Sequence, residues 1–234
     1  MKKIVFALLV AVASAGFATA QDITAEQVMD KYITAIGGKE FVAGIKDMTV
    51  EMSAETERGP IMMTRKAMAP NKSSMVINAS GMEVMRMTSD GIKTAMGGMQ
   101  GSRVLEGKEA QAGILQGTLF PELNYAAMSL KNTLDGVEKV NGKDAYKITH
   151  RSADGTVSWT DFYDKESGLK VQTITSQKMQ GRDVTQTMVY ADYKDFKGLK
   201  YPTSIVQSGS RAMTMSVDKV KINTGAKESD FVVK

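Results

Sequence analysis

Met48-Thr49-Val50-Glu51-Met52-Ser53-Ala54-Glu55 alternates apolar and polar residues without a break, and this stretch decides the fold. Strand side chains project to opposite faces with a period of two, so Met48, Val50, Met52 and Ala54 share one face. Immediately upstream the period is helical. Ala25, Val28, Met29, Tyr32, Ile33 and Ile36 form one apolar stripe, Thr24 and Gln27 form a capping box, and Gly37-Gly38 supplies the stop. Ile23 is placed to staple onto Val28, and a short second turn is expected around Phe41 and Ile45. Downstream, strand-like runs follow at 61–68, 73–79, 82–89 and 92–96, joined at Gly59-Pro60, Pro70-Asn71, Ser80-Gly81 and Asp90-Gly91. From Arg103 to Met128 the alternation disappears, and short helices and loop are expected. Strands resume at 130–139, 145–150, 157–163, 169–178, 184–192, 200–207 and 212–222, with hairpin signals at Asn141-Gly142, Asp154-Gly155 and Ser167-Gly168.

These runs predict a mainly β chain with some α. The expected architecture is a curved antiparallel sheet of about eleven strands, too wide to stay flat, forming an unclosed half β-barrel. The N-terminal helix and the short helical insert are expected to cover its apolar face. No linker divides the chain and no repeat of fixed period is present.

The first residues read as an export signal. Lys2 and Lys3 precede an uncharged apolar run from Ile4 to Ala15, and Ala18-Thr19-Ala20 fits a cleavage site, so 1–20 is expected to be removed and 21–234 to form one domain. Without Lys2 and Lys3 the basic count falls to 28 against 26 acidic residues, which gives nucleic-acid binding no electrostatic support. The absence of cysteine excludes disulfides, thiolate metal sites and a cysteine nucleophile, and also N-terminal lipidation of the bacterial lipoprotein type. A soluble periplasmic protein is expected.

Eighteen methionines is a high number, and most fall in predicted strands, where β-branched and aromatic residues are the usual choice. Met is flexible and polarizable and adapts to ligands of variable shape. The same alternation also fits a packed, irregular core. Met62 and Met63 must point to opposite faces in either case. On parity, a ligand-lining set would comprise Met48, Val50, Met52, Met75, Ile77, Met85, Met87, Met96, Met188, Met213 and Met215.

Catalytic and metal constellations are weak. His150 is the single histidine, so neither a His-based triad nor a His-rich metal site can be assembled. Asp161, Asp164 and Glu166 flank a predicted hairpin, where carboxylates are expected to be solvated, and Trp159 and Tyr163 share one strand face. Gly97-Gly98-Met99-Gln100-Gly101 lacks the spacing and the Lys-Ser/Thr of a phosphate loop. No catalytic residue, metal or cofactor is expected.

Four stretches carry a family resemblance: Ala67-Met68-Ala69-Pro70-Asn71-Lys72, Ser89-Asp90-Gly91-Ile92-Lys93, Val140-Asn141-Gly142-Lys143-Asp144-Ala145-Tyr146 and Asp164-Lys165-Glu166-Ser167-Gly168-Leu169. In this order, and with this layout of helix, strands, insert and strands, the chain resembles the periplasmic lipoprotein carriers of the LolA/LolB/LppX-like fold. The resemblance implies an unclosed barrel whose helix-covered hydrophobic cavity receives lipid or lipoprotein acyl chains, in outer-membrane lipoprotein sorting and transport, with envelope membrane proteins as further partners. The carrier proper has an arginine before the Pro-Asn step that helps to hold the lid; here that position is Ala69, with Arg65 four residues earlier. The alternative reading is an envelope protein-interaction module with the same fold and no lipid cargo. A hydrolase acting on envelope lipids is a third, and it lacks a converging acid/base or nucleophile set.

Overall fold

The computed structural model of the chain describes residues 23–99, 101–125, 128–179, 182–209 and 212–233, so the expected leader lies outside the described residues. Helix α1, Ala25–Ile36, starts at a capping box in which the Gln27 amide donates to Thr24 Oγ1 and the Thr24 amide to Gln27 Oε1. It stops at Gly37, whose φ of 153° and 2.7 Å clearance between a built Cβ and the Gly198 carbonyl leave no room for a side chain. Helix α2, Lys39–Ala43, follows and buries Val42.

Among the described residues, thirteen strands form one antiparallel sheet. Six lie on one side: β1 Asp47–Thr56, β2 Gly59–Met68, β3 Lys72–Ala79, β4 Met82–Ser89, β5 Thr94–Gly98 and β6 Gly101–Leu105. The other seven are β7 Leu130–Val140, β8 Lys143–Ser152, β9 Ser158–Asp164, β10 Lys170–Met179, β11 Arg182–Phe196, β12 Leu199–Ser208 and β13 Met213–Ile222. Their order is β6-β5-β4-β3-β2-β1-β13-β12-β11-β10-β9-β8-β7, so the chain fills one half outward to β6, crosses to the far edge, and returns to pair β13 with β1. The two edges never meet.

Strand β6 is an addition to the expected pattern, and the insert starts later than Arg103. Its first four residues are exposed, because an edge strand wet on both faces has no need of alternation. The insert itself is helix α3, Lys108–Gly117, followed by a 3-10 turn at Pro121–Leu123.

The crossing forces the insert over the hollow side of the sheet. Helix α3 packs on β3, β4 and β5, and it also meets the β8–β9 connection through Lys108–Asp154 at 3.6 Å and Thr156–Gln111 at 3.5 Å. Seven strands separate β4 from β9. A flat sheet at about 4.8 Å per strand would hold them roughly 38 Å apart, whereas a helix of this length spans roughly 15 Å. The sheet is therefore strongly curled.

Helix α1 lies in the same hollow and joins two apolar clusters. Its C-terminal half, Ile33 and Ile36, packs with Met48, Val50, Met52, Met63, Leu199, Ile205 and Met215. Its N-terminal half, Ala25, Val28 and Met29, packs with Leu115, Tyr125, Leu130, Ile148 and Tyr163. The described residues contain no helix long and apolar enough to cross a membrane.

Candidate functional site: a methionine trough beside an arginine

Residues paired across antiparallel strands share a face, so the register of β1 to β6 resolves the concave surface into rows. The first row reads Met48, Ala67, Ser73, Ser89, Thr94 and Leu105. The second reads Val50, Arg65, Met75, Met87, Met96 and Arg103. The third reads Met52, Met63, Ile77, Met85, Gly98 and Gly101.

Side-chain size follows the cover. Helix α3 sits on the first row, and there the contact is backbone-close: a Cβ on Gly117 would meet Ser73 Oγ at 2.0 Å, and one on Gly113 would meet Thr94 at 2.9 Å. Only Ala, Ser and Thr fit beneath such an approach. In the second and third rows, methionine and isoleucine take over on β3 to β5. Met75, Ile77, Met85 and Met87 are half-buried, and Met96 is 43% exposed. The candidate site is this trough-like strip of partly exposed thioethers beside α3 on the concave face.

The parity-selected residues thus divide three ways. Met48, Val50, Met52 and Met215 lie in the packed cluster beneath α1 and α2. Met85, Met87 and Met96 floor the trough outside that cluster, and Met75 and Ile77 join the two, half-buried on the same rows and packed against the cluster's edge. Met188 and Met213 are half-buried on the far half, aligned through Gln207, which pairs with both. Met63, outside the parity-selected set, lies in the third row and is buried in the same packed cluster. Met62 points outward and is exposed, as its neighbour's parity requires. Two recesses lie elsewhere, one of about 200 Å³ beside Val140, Ala145 and Val171 and one of about 520 Å³ at Gly37–Phe41; no methionine lines either.

Arg65 stands at the boundary between covered and uncovered rows. Its Nη2 donates to the Gly117 carbonyl at 3.2 Å and reaches the Gln116 carbonyl at 3.5 Å. Both carbonyls belong to the last turn of α3, whose final carbonyls have no intrahelical donor. A cation there is also favoured by the helix dipole. The position before the Pro-Asn step is Ala69, and Arg65, two residues before Ala67 along the same face, is the arginine that reaches the insert.

The far half of the concave face carries a buried polar network. Asp161 on β9 is 1% exposed and accepts from Thr173 Oγ1 at 2.5 Å, Lys170 Nζ at 3.0 Å, Trp159 Nε1 at 3.2 Å and Tyr163 OH at 3.4 Å. Lys170 also pairs with Glu122 of the 3-10 turn, so the network ties the insert to the sheet. Tyr32 of α1 and Tyr163 hold their rings 5.4 and 5.5 Å from the same ammonium. His150 is fully buried; its ring stacks on Trp159 at 4.9 Å and lies against Tyr125 at 4.7 Å. Its Nδ1 is 2.8 Å from Asn132 Oδ1, and its Nε2 lies 3.3 Å from Asp161 Oδ2, outside hydrogen-bond geometry.

Burial pushes the Asp161 carboxyl up, but the Lys170 ammonium and the donors around it outweigh that and hold it below the usual carboxylate range. Burial likewise disfavours the charged Lys170, yet Asp161 and Glu122 together hold its pKa well above the ordinary lysine value. Burial raises the Tyr190 phenol to about 12, so it stays neutral. The expectation of solvated carboxylates near this hairpin is corrected for Asp161 and Asp164, both buried; Glu166 is exposed as expected. The signal was legible, since Asp161 lies between Trp159 and Tyr163 on one apolar face.

No family model matches the sequence, and no curated protein sequence does either. Solved structures do match. A LolA superfamily protein from Nitrosomonas europaea superposes with a TM-score of 0.59 at 12% identity, covering 90% of this chain and 98% of its own. A DUF1329 family protein from Desulfovibrio piger gives a TM-score of 0.58 at 13% identity, over 89% and 97% of the two chains. A structure described as an outer membrane lipoprotein-sorting protein domain, from Vibrio parahaemolyticus, gives 0.57 at 14%, over 89% and 97%. At such identities the likeness speaks for architecture. The chain has the LolA-like fold, an unclosed curled sheet with helices seated in its hollow.

Proposed function

We propose that this protein is a periplasmic carrier or binding protein that holds lipid, or the acyl chain of a lipoprotein, against the methionine trough. One observation carries the reading: small residues occupy the row that α3 covers, and methionines occupy the rows beside it that α3 leaves open. The close approach of α3 explains the first row but does not call for methionine beside it, where partly exposed apolar side chains invite association. The Vibrio parahaemolyticus domain with the same fold, described as lipoprotein-sorting, is consistent with cargo of this class. Residues 1–20 act in this reading as a cleaved leader and 21–234 as one carrier domain, with envelope membrane proteins as donors and acceptors of the cargo.

The energetics suit a carrier. About 14 buried methylenes contribute about 11 kcal/mol gross, against an association cost of about 4–15 kcal/mol. Binding of one chain is thus reversible, and the cover sets the residence time. Catalysis has no support from the polar network, since Asp161 and His150 are sealed from solvent and offer a substrate no contact.

Native mass spectrometry of protein purified from its host, followed by organic extraction, tests the reading. A bound amphiphile in stoichiometric amount is expected. Protein that is repeatedly free of amphiphile sinks it, and recovery of one stoichiometric protein partner without lipid favours the interaction module.

A further inference from the structure

We infer that Arg65 is the headgroup subsite of the trough, and that the preferred occupant is an amphiphile with an anionic headgroup rather than a neutral one. The inference rests on the trough being the binding surface and adds the class of molecule it selects. Arg65 is half-buried in the second row, between Val50 and Met75, with the methionine floor continuing through Met87 to Met96. Among the described residues no carboxylate lies within 4.0 Å of it, whereas Lys66 and Lys72 on neighbouring positions each have an acidic partner. A guanidinium on an apolar face with no counter-ion is unusual, because burying an unpaired charge is costly.

The helix end offers only partial compensation. The C-terminus of a helix is equivalent to about half a negative charge, so the Arg65 charge is offset only in part. The two contacts to α3 come from Nη2 alone. Nε and Nη1 carry further N–H groups, each able to donate a charge-assisted hydrogen bond to a carboxylate or phosphate ester. The guanidinium and the methionine floor lie side by side. An anion on the guanidinium places its hydrocarbon tail along Met75, Met87 and Met96.

The test compares dodecanoate with 1-dodecanol, both below their aggregation limits, as competitors of a neutral fluorescent probe bound to delipidated protein at pH 8. Dodecanoate is expected to bind about tenfold more tightly, the factor one charge-assisted hydrogen bond supplies. In Arg65→Gln the ratio should fall to near one, and in Arg65→Lys most of it should survive. The ratio is the readout because loosening of α3 changes both affinities alike, and the ratio for the unsubstituted protein stands even if a variant fails to fold. Equal affinities in the unsubstituted protein, or a preference that persists in Arg65→Gln, overturn the headgroup assignment and leave the trough intact. Inorganic phosphate competing with dodecanoate as strongly as the amphiphiles do makes this a soluble-anion site and also overturns it. Failure of both amphiphiles to displace the probe removes the trough as a binding surface, and this inference with it.

Discussion

Replacing Lys170 with methionine removes the cation shared by Asp161 and Glu122 while keeping a side chain of similar length. Lys170 is 14% exposed on its side chain, and its two carboxylate partners are 1% and 2% exposed, so the loss is felt in the interior. Removing one member of a buried ion pair typically costs about 3–5 kcal/mol, because the other is left uncompensated. Asp161 retains three donors, Thr173, Trp159 and Tyr163, which limits its share. Glu122 pairs with Lys170 and sits on the insert, so much of its share is relieved if the turn lifts away. The expected destabilisation at neutral pH is therefore about 3 kcal/mol, a large fraction of an ordinary domain's stability. Urea unfolding followed by Trp159 fluorescence measures it, since the single tryptophan is itself part of the network. Hydrogen exchange should rise across the insert in the same variant. Lys170→Met/Glu122→Gln should recover part of the loss, because the second carboxylate is no longer orphaned. A loss below about 1 kcal/mol, the level of an exposed pair, with unchanged exchange on the insert, would refute the account.

Further outcomes follow from the same geometry. Met52→Asp places a carboxylate in the packed cluster and should unfold the protein, whereas Met87→Asp, half-buried in the trough, should leave the fold intact and abolish amphiphile binding; circular dichroism and probe displacement separate the two, and equal behaviour contradicts the three-way division. Gly117→Ala puts a Cβ 2.0 Å from Ser73 Oγ, so α3 must shift; a loss of about 1–3 kcal/mol is expected in thermal or urea unfolding, with faster proteolysis of the insert. The network also sets a pH window. Asp161 has a depressed folded pKa, so its contribution is present above its unfolded value of about 3.9 and is lost as pH falls through the folded value. Lys170 has a raised one, so its contribution is fully present below about 10.4 and is lost as pH rises through the folded value. The acid limb of melting temperature against pH should be shallower in Asp161→Asn, with the limb set by the other depressed carboxylates remaining; an unchanged acid limb contradicts the assignment.

Much of this was readable from the chain alone because it is set by local rules. The capping box at Thr24, the stop at Gly37 and the period change after Lys46 act over a few residues, and the structure follows each of them. Parity correctly grouped Met75, Ile77, Met85 and Met87 on one face, since a strand has only two. Parity could not divide that face further. Val50 and Met87 obey the same alternation, yet one is buried under α1 and α2 and the other floors the trough. Strand β6 was missed because its first four residues are exposed, so no pattern marks it.

The class of fold, the hairpin order and the two faces of each strand are local, because propensity, capping and alternation are properties of neighbouring residues. Which part of the apolar face is covered depends on long-range packing. The far-edge crossing carries the insert over the first row, Arg65 fixes its helix end, and Lys170 fixes its turn across 48 residues of chain. Curvature brings these groups together, and curvature is a sum over the whole sheet that no local stretch encodes.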